Sequence, residues 1–573
     1  MKRILKYMNK YWYIYLFGFI TMGISIGLDM FNPIITGRII DEVIVAGDKS
    51  IFKTLALMLV GITLIRAVAG YAKEILFDYA GVRIMIELRQ NMFDHIQSLS
   101  FNFFESKNTG ELMARIKEDA ERVWEASAFG IMLVVEMVVV LIVASYLMFM
   151  ISPLLSVITL ITLPVLGWLA LKLEKQIGKT YEDISEQNAI LNTTAQENIA
   201  GVRLVKAFAR ERHEIKKFLA KNEGYYKLNY KQAKIWSIFY PRIEFMTSVL
   251  PILVISLGGY FVVGDSLTIG ELIKFSGYMF MVIWPMRMLG WITNIMAEAF
   301  ASARKIDTVF GCETEIKNKE DGIVKENLKG EIEFENVSLK LNETEILKDI
   351  SFTVKPNKTL AIMGSTGSGK SSIINILTRF YDHNKGSIKI DGEEIADYDL
   401  HNLRSHISVV MQDVFLFSDT IEENILFGVK ETTNHDEMIE KSMGAQAHDF
   451  IDRMDDSYQT VIGEKGIGLS GGQKQRISIA RALAKKGNIL IFDDSTSALD
   501  METEYRIQHE IEKLENMTKI IIAHRISAVK KADEIIILEH GQIVERGNHK
   551  ELIELEGRYY QTYCEQYEGF MAG

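Results

Sequence analysis

Six apolar stretches, near residues 15–35, 54–71, 129–150, 154–173, 245–263 and 275–296, punctuate the first half of the chain. Each approaches the roughly 20 mainly apolar residues that cross a hydrocarbon core about 30 Å thick, so the pattern predicts six membrane-spanning helices. Only the Ile151-Ser152-Pro153 corner separates the third from the fourth, which predicts a tight helical hairpin there. The segments between the second and third stretches and between the fourth and fifth are strongly charged, yet they keep a helical pattern with few Gly and almost no Pro. At about 1.5 Å per residue, helices of that length extend tens of Å past the bilayer.

Lys2, Arg3, Lys6 and Lys10 precede the first stretch with no acidic residue among them, which places the N-terminus inside. Six spans return the chain to the same side, so both termini and the charged excursions are expected in the cytoplasm, with the spans in a bacterial plasma membrane. A cleaved signal peptide is the competing reading of the N-terminus. No A-x-A-like site follows the apolar run, and Asp29, Asn32 and Pro33 interrupt it late.

From about residue 327 the pattern changes to short apolar strands alternating with helical segments, the mark of an α/β domain. The expected organisation is a membrane domain over 1–310, a linker over 311–329 and a nucleotide-binding domain over 330–573. Composition agrees. With 573 residues the chain is multidomain, and its 48 % hydrophobic content is concentrated in the first half, so a purely soluble reading fails. The net charge of −11 argues against a nucleic-acid partner. Cys312 and Cys564 form no disulfide framework, which suits domains facing a reducing cytosol. Seven prolines exclude a low-complexity chain.

Three motifs carry the chemistry. A strand beginning at Thr359 leads into the loop Gly364, Ser365, Thr366, Gly367, Ser368, Gly369, Lys370 and Ser371, and Ser372 continues into a helix. Glycines let backbone N–H groups curl around phosphate oxygens, the helix N-terminus adds positive potential, Lys370 neutralises phosphate charge and Ser371 is placed to reach Mg²⁺. A second apolar strand, Ile489-Leu-Ile-Phe492, ends in Asp493-Asp494. Asp493 is the metal-directed carboxylate beside such a loop. Asp494 stands where a general base for water is sought, or else caps the following turn. Ser470, Gly471 and Gly472, at a helix start, form another anion site, and one chain needs only one phosphate loop. The second site therefore reads as serving a nucleotide held by another subunit.

The phosphate loop, Gln412, the run Leu469-Ser470-Gly471-Gly472-Gln473, the strand ending in Asp493, the stretch from Ser497 to Asp500, and His524 occur in one order. Together they resemble the ATP-binding cassette, and with six preceding spans the whole chain resembles a half-transporter of the ABC exporter type, a polytopic α-helical membrane domain fused to an α/β P-loop NTPase. The resemblance implies ATP and Mg²⁺ as cofactors, with Ser371, Gln412 and Asp493 approaching the metal and His524 sensing the γ-phosphate. It implies that Leu469 to Gln473 clamp ATP on a partner subunit. Glu464 lies in a segment resembling the loop that touches the partner's intracellular helices, and residues 103–112 and 197–208 resemble the segments around the coupling helices.

Two departures from the family pattern set the expectation about partners. Asp494 replaces the usual Glu and is one methylene shorter, and a misplacement of about 1 Å at an attacking water costs about 10²-fold. Leu341 stands where the family has an aromatic to stack on adenine. These predict a degenerate own site in one half of a heterodimeric exporter, with the intact signature completing the partner's site. A homodimeric exporter of lipid or peptide, hydrolysing slowly with Asp as the base, is the alternative.

Ionisable residues at membrane depth are functional candidates. Among Asp29, Arg66, Glu136, Glu244 and Arg287, Glu136 lies mid-span. The sixth stretch is rich in Met, Phe and Trp, a soft lining suited to amphipathic substrates, or ordinary packing and lipid contact. The expected function is ATP-driven export of hydrophobic or amphipathic, drug- or lipid-like compounds by alternating access. An importer, a soluble ATPase of nucleic-acid maintenance and an ATP-gated regulator are the competing classes.

Overall fold

A computed structural model describes residues 2–319, 321–341, 344–429, 434–463, 466, 468–494 and 499–571. Two compact units make up the chain, one of Met1–Ser98 with Lys107–Glu313 and one of Leu99–Ser106 with Thr314–Gly573.

The first unit is helical. Its long helices are α1 (Trp12–Arg38), α2 (Phe52–Ser98), α3 (Ile131–Ile151), α4 (Pro153–Ala200), α5 (Glu211–Val263) and α6 (Ile269–Phe310). A helix of 47 residues such as α2 is roughly 70 Å long, more than twice a hydrocarbon core. Among the described residues, five helices are long and apolar enough to cross a membrane; α6 is not one of them. Tyr278, Trp284, Pro285, Arg287 and Trp291 lower its mean hydropathy. It is also well sheltered, with Phe275, Tyr278, Met279 and Val282 almost fully buried. The predicted hairpin is present: Ser152 is extended (φ −151°, ψ 106°) and Pro153 opens α4, where its missing N–H costs nothing.

Two features tie the ends of this bundle. Thr268 and Glu271 form a reciprocal capping box at the start of α6, and Asp41, in a π-helical extension of α1, accepts from the Thr268 hydroxyl (2.6 Å) and the Gly270 N–H (2.7 Å). The backbones approach so closely that a Cβ on Gly270 would lie 2.2 Å from the Gly37 carbonyl oxygen. Before α3 the chain passes through π-helical turns at Arg115–Asp119 and Ala126–Gly130. In the first of these, buried Asp119 accepts from Arg115 (2.7 Å) and Ser302 (2.6 Å).

The second unit contains two sheets. An antiparallel sheet of order β2-β1-β4-β5 is built from β1 (Ile332–Leu341), β2 (Thr344–Val354), β4 (Lys385–Ile390) and β5 (Glu393–Glu394). The other has the order β10-β9-β3-β8-β7-β6, from β3 (Thr359–Gly364), β6 (Ile407–Val410), β7 (Ile489–Asp493), β8 (Thr518–Ile522), β9 (Glu534–Glu539) and β10 (Gln542–Gly547). All its neighbours are parallel except β9 and β10. Such strands are covered on both faces, which is why β7 reads as an unbroken apolar run and is buried throughout. The helices that matter for the site are α7 (Lys370–Leu377), α8 (Gly471–Ala484), α9 (Met501–Glu512) and α10 (Arg558–Met571). The short helix Phe101–Ser106 belongs to this unit, with Phe101 stacked on Phe380 at 5.5 Å and edge-on to Tyr381 at 5.9 Å.

Candidate functional site

The phosphate loop joins the C-terminal end of β3 to α7, at the edge of the parallel sheet where such folds bind ligands. Its shape depends on glycine. Gly369 has φ +103°, and a Cβ there would meet Leu347 Cδ2 at 2.7 Å. Lys370 opens α7 and its ammonium donates to the loop's own carbonyls, Gly364 O at 2.9 Å and Ser365 O at 2.8 Å. Burial lowers the Lys370 pKa from its ordinary 10.5, against the opposing pull of Asp494 and Asp493.

Across the cavity, β7 delivers Asp493 between β8 and β6. Ser371 Oγ donates to Asp493 Oδ1 at 3.1 Å. Burial raises the Asp493 pKa above 3.8, while the Ser371 bond, Lys370 and His524 act in the opposite sense. Asp494 follows with φ +42°, a left-handed conformation that Asp and Asn adopt more readily than Glu, and its N–H donates to Ile522 O at 2.9 Å. The strand end thus gives a backbone reason for Asp at this position.

A cavity of about 600 Å³ brings Thr366, Gly367, Gly369, Lys370, Ser371 and Ser372 together with Gln412, Asp493, Asp494 and His524. Its contents fit ATP with a magnesium ion. The buried Ser368 Oγ has no hydrogen-bond partner, and the Ser371, Gln412 and Asp493 oxygens form a hard donor set. No group of three or more His, Cys, Asp or Glu that would hold a metal unaided occurs among the described residues. Mg²⁺ keeps waters and takes nucleotide phosphates as ligands, so it asks few donors of the protein.

Sequence reasoning missed one wall. Thr344, Glu345, Ile346 and Lys348 of β2 and the His540-Gly541 turn between β9 and β10 also line the cavity. Gly541 N–H donates to Ser368 O (3.1 Å) and its carbonyl accepts from Lys348 N–H (2.8 Å), so the turn buttresses the phosphate loop. A His-Gly turn far along the chain carries no sequence signal for that role. Leu341 is not a lining residue; it packs against the apolar core of the antiparallel sheet.

Leu469, Ser470, Gly471, Gly472 and Gln473 do not line this cavity. Ser470 caps α8, accepting from Gln473 N–H, while the Gln473 side chain accepts from Ser470 N–H (2.8 Å). Arg481 of the same helix donates to Asn424 O at 2.7 Å, and burial lowers its pKa to about 10. Asp500 caps α9, accepting from Thr503 N–H at 2.9 Å. Glu464 and Ser497 lie outside the described residues. In the helical unit Glu136 pairs with Lys73 (2.9 Å), just past the predicted end of the second span, and Arg66 pairs with Asp29 (3.2 Å).

Residues 15–286 match the family described as the ABC transporter transmembrane region, and residues 347–497 match the ABC transporter family. An ABC transporter ATP-binding protein of Bacillus subtilis, YknU, is 36 % identical over 99 % of this chain and 97 % of its own length. An ATP-dependent lipid A-core flippase of Syntrophus aciditrophicus is 33 % identical over 92 % of this chain and 88 % of its own. A bacterial Atm1-family ABC exporter solved with ATP bound superimposes with a TM-score of 0.82 at 26 % identity, covering 96 % of this chain and 99 % of that one.

These findings correct the expectation of a degenerate ATP site in one half of a heterodimer. The end-to-end likeness is to an exporter seen with ATP bound, and the cavity assembles the phosphate loop, Gln412, Asp493, Asp494 and His524 on one wall system. The left-handed backbone at Asp494 gives a structural reason for the shorter carboxylate. The chain binds and hydrolyses ATP as a translocase and is a multi-pass plasma-membrane protein with a cytoplasmic ATP-binding domain. It belongs to the ABC transporters, as an exporter-type half-transporter in which a polytopic helical membrane domain is fused to the ATP-binding cassette.

Proposed function

We propose that two copies of this chain form a homodimeric exporter that moves hydrophobic or lipid-like compounds across the membrane by alternating access. The observation that carries the reading is the full-length likeness to the ATP-bound exporter, together with a signature segment that lies outside its own chain's cavity. The capped α8 N-terminus at Ser470 and the phosphate site of a second copy are complementary. The lipid A-core flippase likeness supports a lipid-like substrate. Residues 1–310, with α6 as a sixth span, form the membrane domain, 311–329 the linker and 330–573 the cassette.

In this mechanism the loop amides and Lys370 hold the phosphates, and Ser371, Gln412 and Asp493 would hold magnesium. Magnesium, when bound, neutralises phosphate charge and orients the γ-phosphate. Asp494 accepts a hydrogen bond from the attacking water, and His524 contacts the γ-phosphate from the loop after β8. Ser470, Gly471 and Gly472 of the second copy clamp the same nucleotide, so ATP binding draws the cassettes together and hydrolysis releases them.

The test is transport by vesicles containing only this chain. ATP-dependent movement of a fluorescent lipid analogue, lost in Lys370→Ala, is expected; equal movement with and without ATP would remove the reading.

A further inference from the structure

The helical unit holds a cavity of about 540 Å³ bounded by α1, α2, α3 and α6. Five of its lining side chains are acidic or basic: Asp29, Arg66, Lys73, Glu74 and Glu136. Arg66 lies 3.2 Å from Asp29, and Lys73 lies 2.9 Å from Glu136 and 3.5 Å from Glu74. Both cations are therefore already partnered, and three carboxylates share them, leaving one negative charge in excess. The pattern of exposure points the same way. Lys73 is the sheltered member, with 9 % of its side chain exposed, whereas Glu136 and Glu74 keep 27 % and 50 %. The carboxylates, rather than the ammonium, are presented to whatever enters.

An uncompensated charge at membrane depth is costly, and a ligand of opposite sign relieves that cost. Trp284, Tyr71 and Met281 complete the wall with π-faces and a thioether, surfaces that attract an organic cation and accommodate apolar groups of varied shape.

We propose that this cavity selects an amphiphile carrying a single positive charge, with Glu136 and Glu74 as the residues that determine the preference. The inference rests on the export reading and sharpens its substrate class. Lys73 keeps one carboxylate when either glutamate is neutralised, so Glu136→Gln and Glu74→Gln each remove the excess charge without leaving the ammonium unpaired.

The full-length chain, reconstituted in inverted vesicles, is offered four probes sharing one alkyl chain: a trimethylammonium, its uncharged isostere with carbon in place of nitrogen, a zwitterionic phosphocholine and an anionic phosphate. The cation is expected to be accumulated with a half-saturating concentration about tenfold below that of the isostere. In Glu136→Gln, and separately in Glu74→Gln, that ratio should fall toward one; being measured within one variant, it does not depend on how much protein folds. Preference for the anion or zwitterion, equal handling of cation and isostere by the unmodified chain, or an unchanged ratio in both variants would overturn the proposal while leaving export intact. ATP-independent distribution of all four would overturn the export reading and this proposal with it.

Discussion

Gln566 of the C-terminal helix α10 grips the backbone on both sides of Arg525: its side-chain amide donates to His524 O at 2.7 Å, and its carbonyl accepts from Ile526 N–H at 2.9 Å. A helix at the far end of the chain thus fixes the loop that carries His524, which lines the phosphate-loop cavity. Arg525 is held as well, donating to buried Glu504 of α9 at 2.7 Å. Two such hydrogen bonds, each worth about 1 kcal/mol, set the scale of the effect. Gln566→Ala is expected to lower kcat for ATP about tenfold with a smaller change in KM. Gln566→Glu, which keeps the acceptor and loses the donor, should fall between. Steady-state phosphate release on the three proteins measures this.

Asp494→Asn is expected to abolish hydrolysis, by about 10²-fold or more, while ATP still binds. Asn tolerates the same left-handed backbone, so the strand end should keep its shape. Nucleotide binding measured alongside turnover separates the two effects; loss of both would assign Asp494 a folding role.

Asp493 behaves differently, because burial holds its pKa above 3.8. For a carboxyl raised in the folded state, the contribution to stability is fully present below pH 3.8 and is lost as pH rises through the folded value. At neutral pH the ionised group therefore opposes folding of the magnesium-free protein. Asp493→Asn is expected to leave magnesium-free thermal stability equal or higher at pH 7, yet to abolish magnesium-dependent hydrolysis. Melting curves with and without magnesium nucleotide are the check: the added ligand should stabilise the parent chain and not the variant.

Gly270→Ala places a methyl group against the Gly37 carbonyl and the Asp41 carboxylate, at 2.2 and 2.4 Å before any adjustment. Overpacking of this kind costs about 1–3 kcal/mol. A lower melting temperature of the detergent-solubilised protein is expected, whereas Gly259→Ala on α5, with open space around it, should be neutral.

Much of this architecture was legible from the residues themselves. Apolar runs of spanning length, the Ser152-Pro153 corner and the loop from Gly364 to Ser371 follow from local chemistry, and the structure assembles them as local chemistry dictates. What remained hidden depends on distant segments meeting. Glu136 stood out by hydropathy, but its partner Lys73 lay outside the predicted span and had no signal of its own. The buttress of Gly541 under Ser368 and the grip of Gln566 on His524 join residues far apart in the chain. The short carboxylate at 494 misled because a side-chain comparison ignores the backbone: a positive φ at a strand end favours Asp on grounds unrelated to catalytic decay. Likewise the Met-rich face of α6 divides, with Met279 buried in the bundle and Met281 on the cavity wall.

In the proposed homodimer one polypeptide builds the whole machine. The most direct measurement is ATP turnover by this chain purified alone, on a species whose oligomeric mass is determined by native mass spectrometry. Sustained hydrolysis by a dimer of identical chains, lost in Asp494→Asn, is the predicted result. A chain that stays monomeric and hydrolyses ATP only after a different half-transporter is added would contradict it.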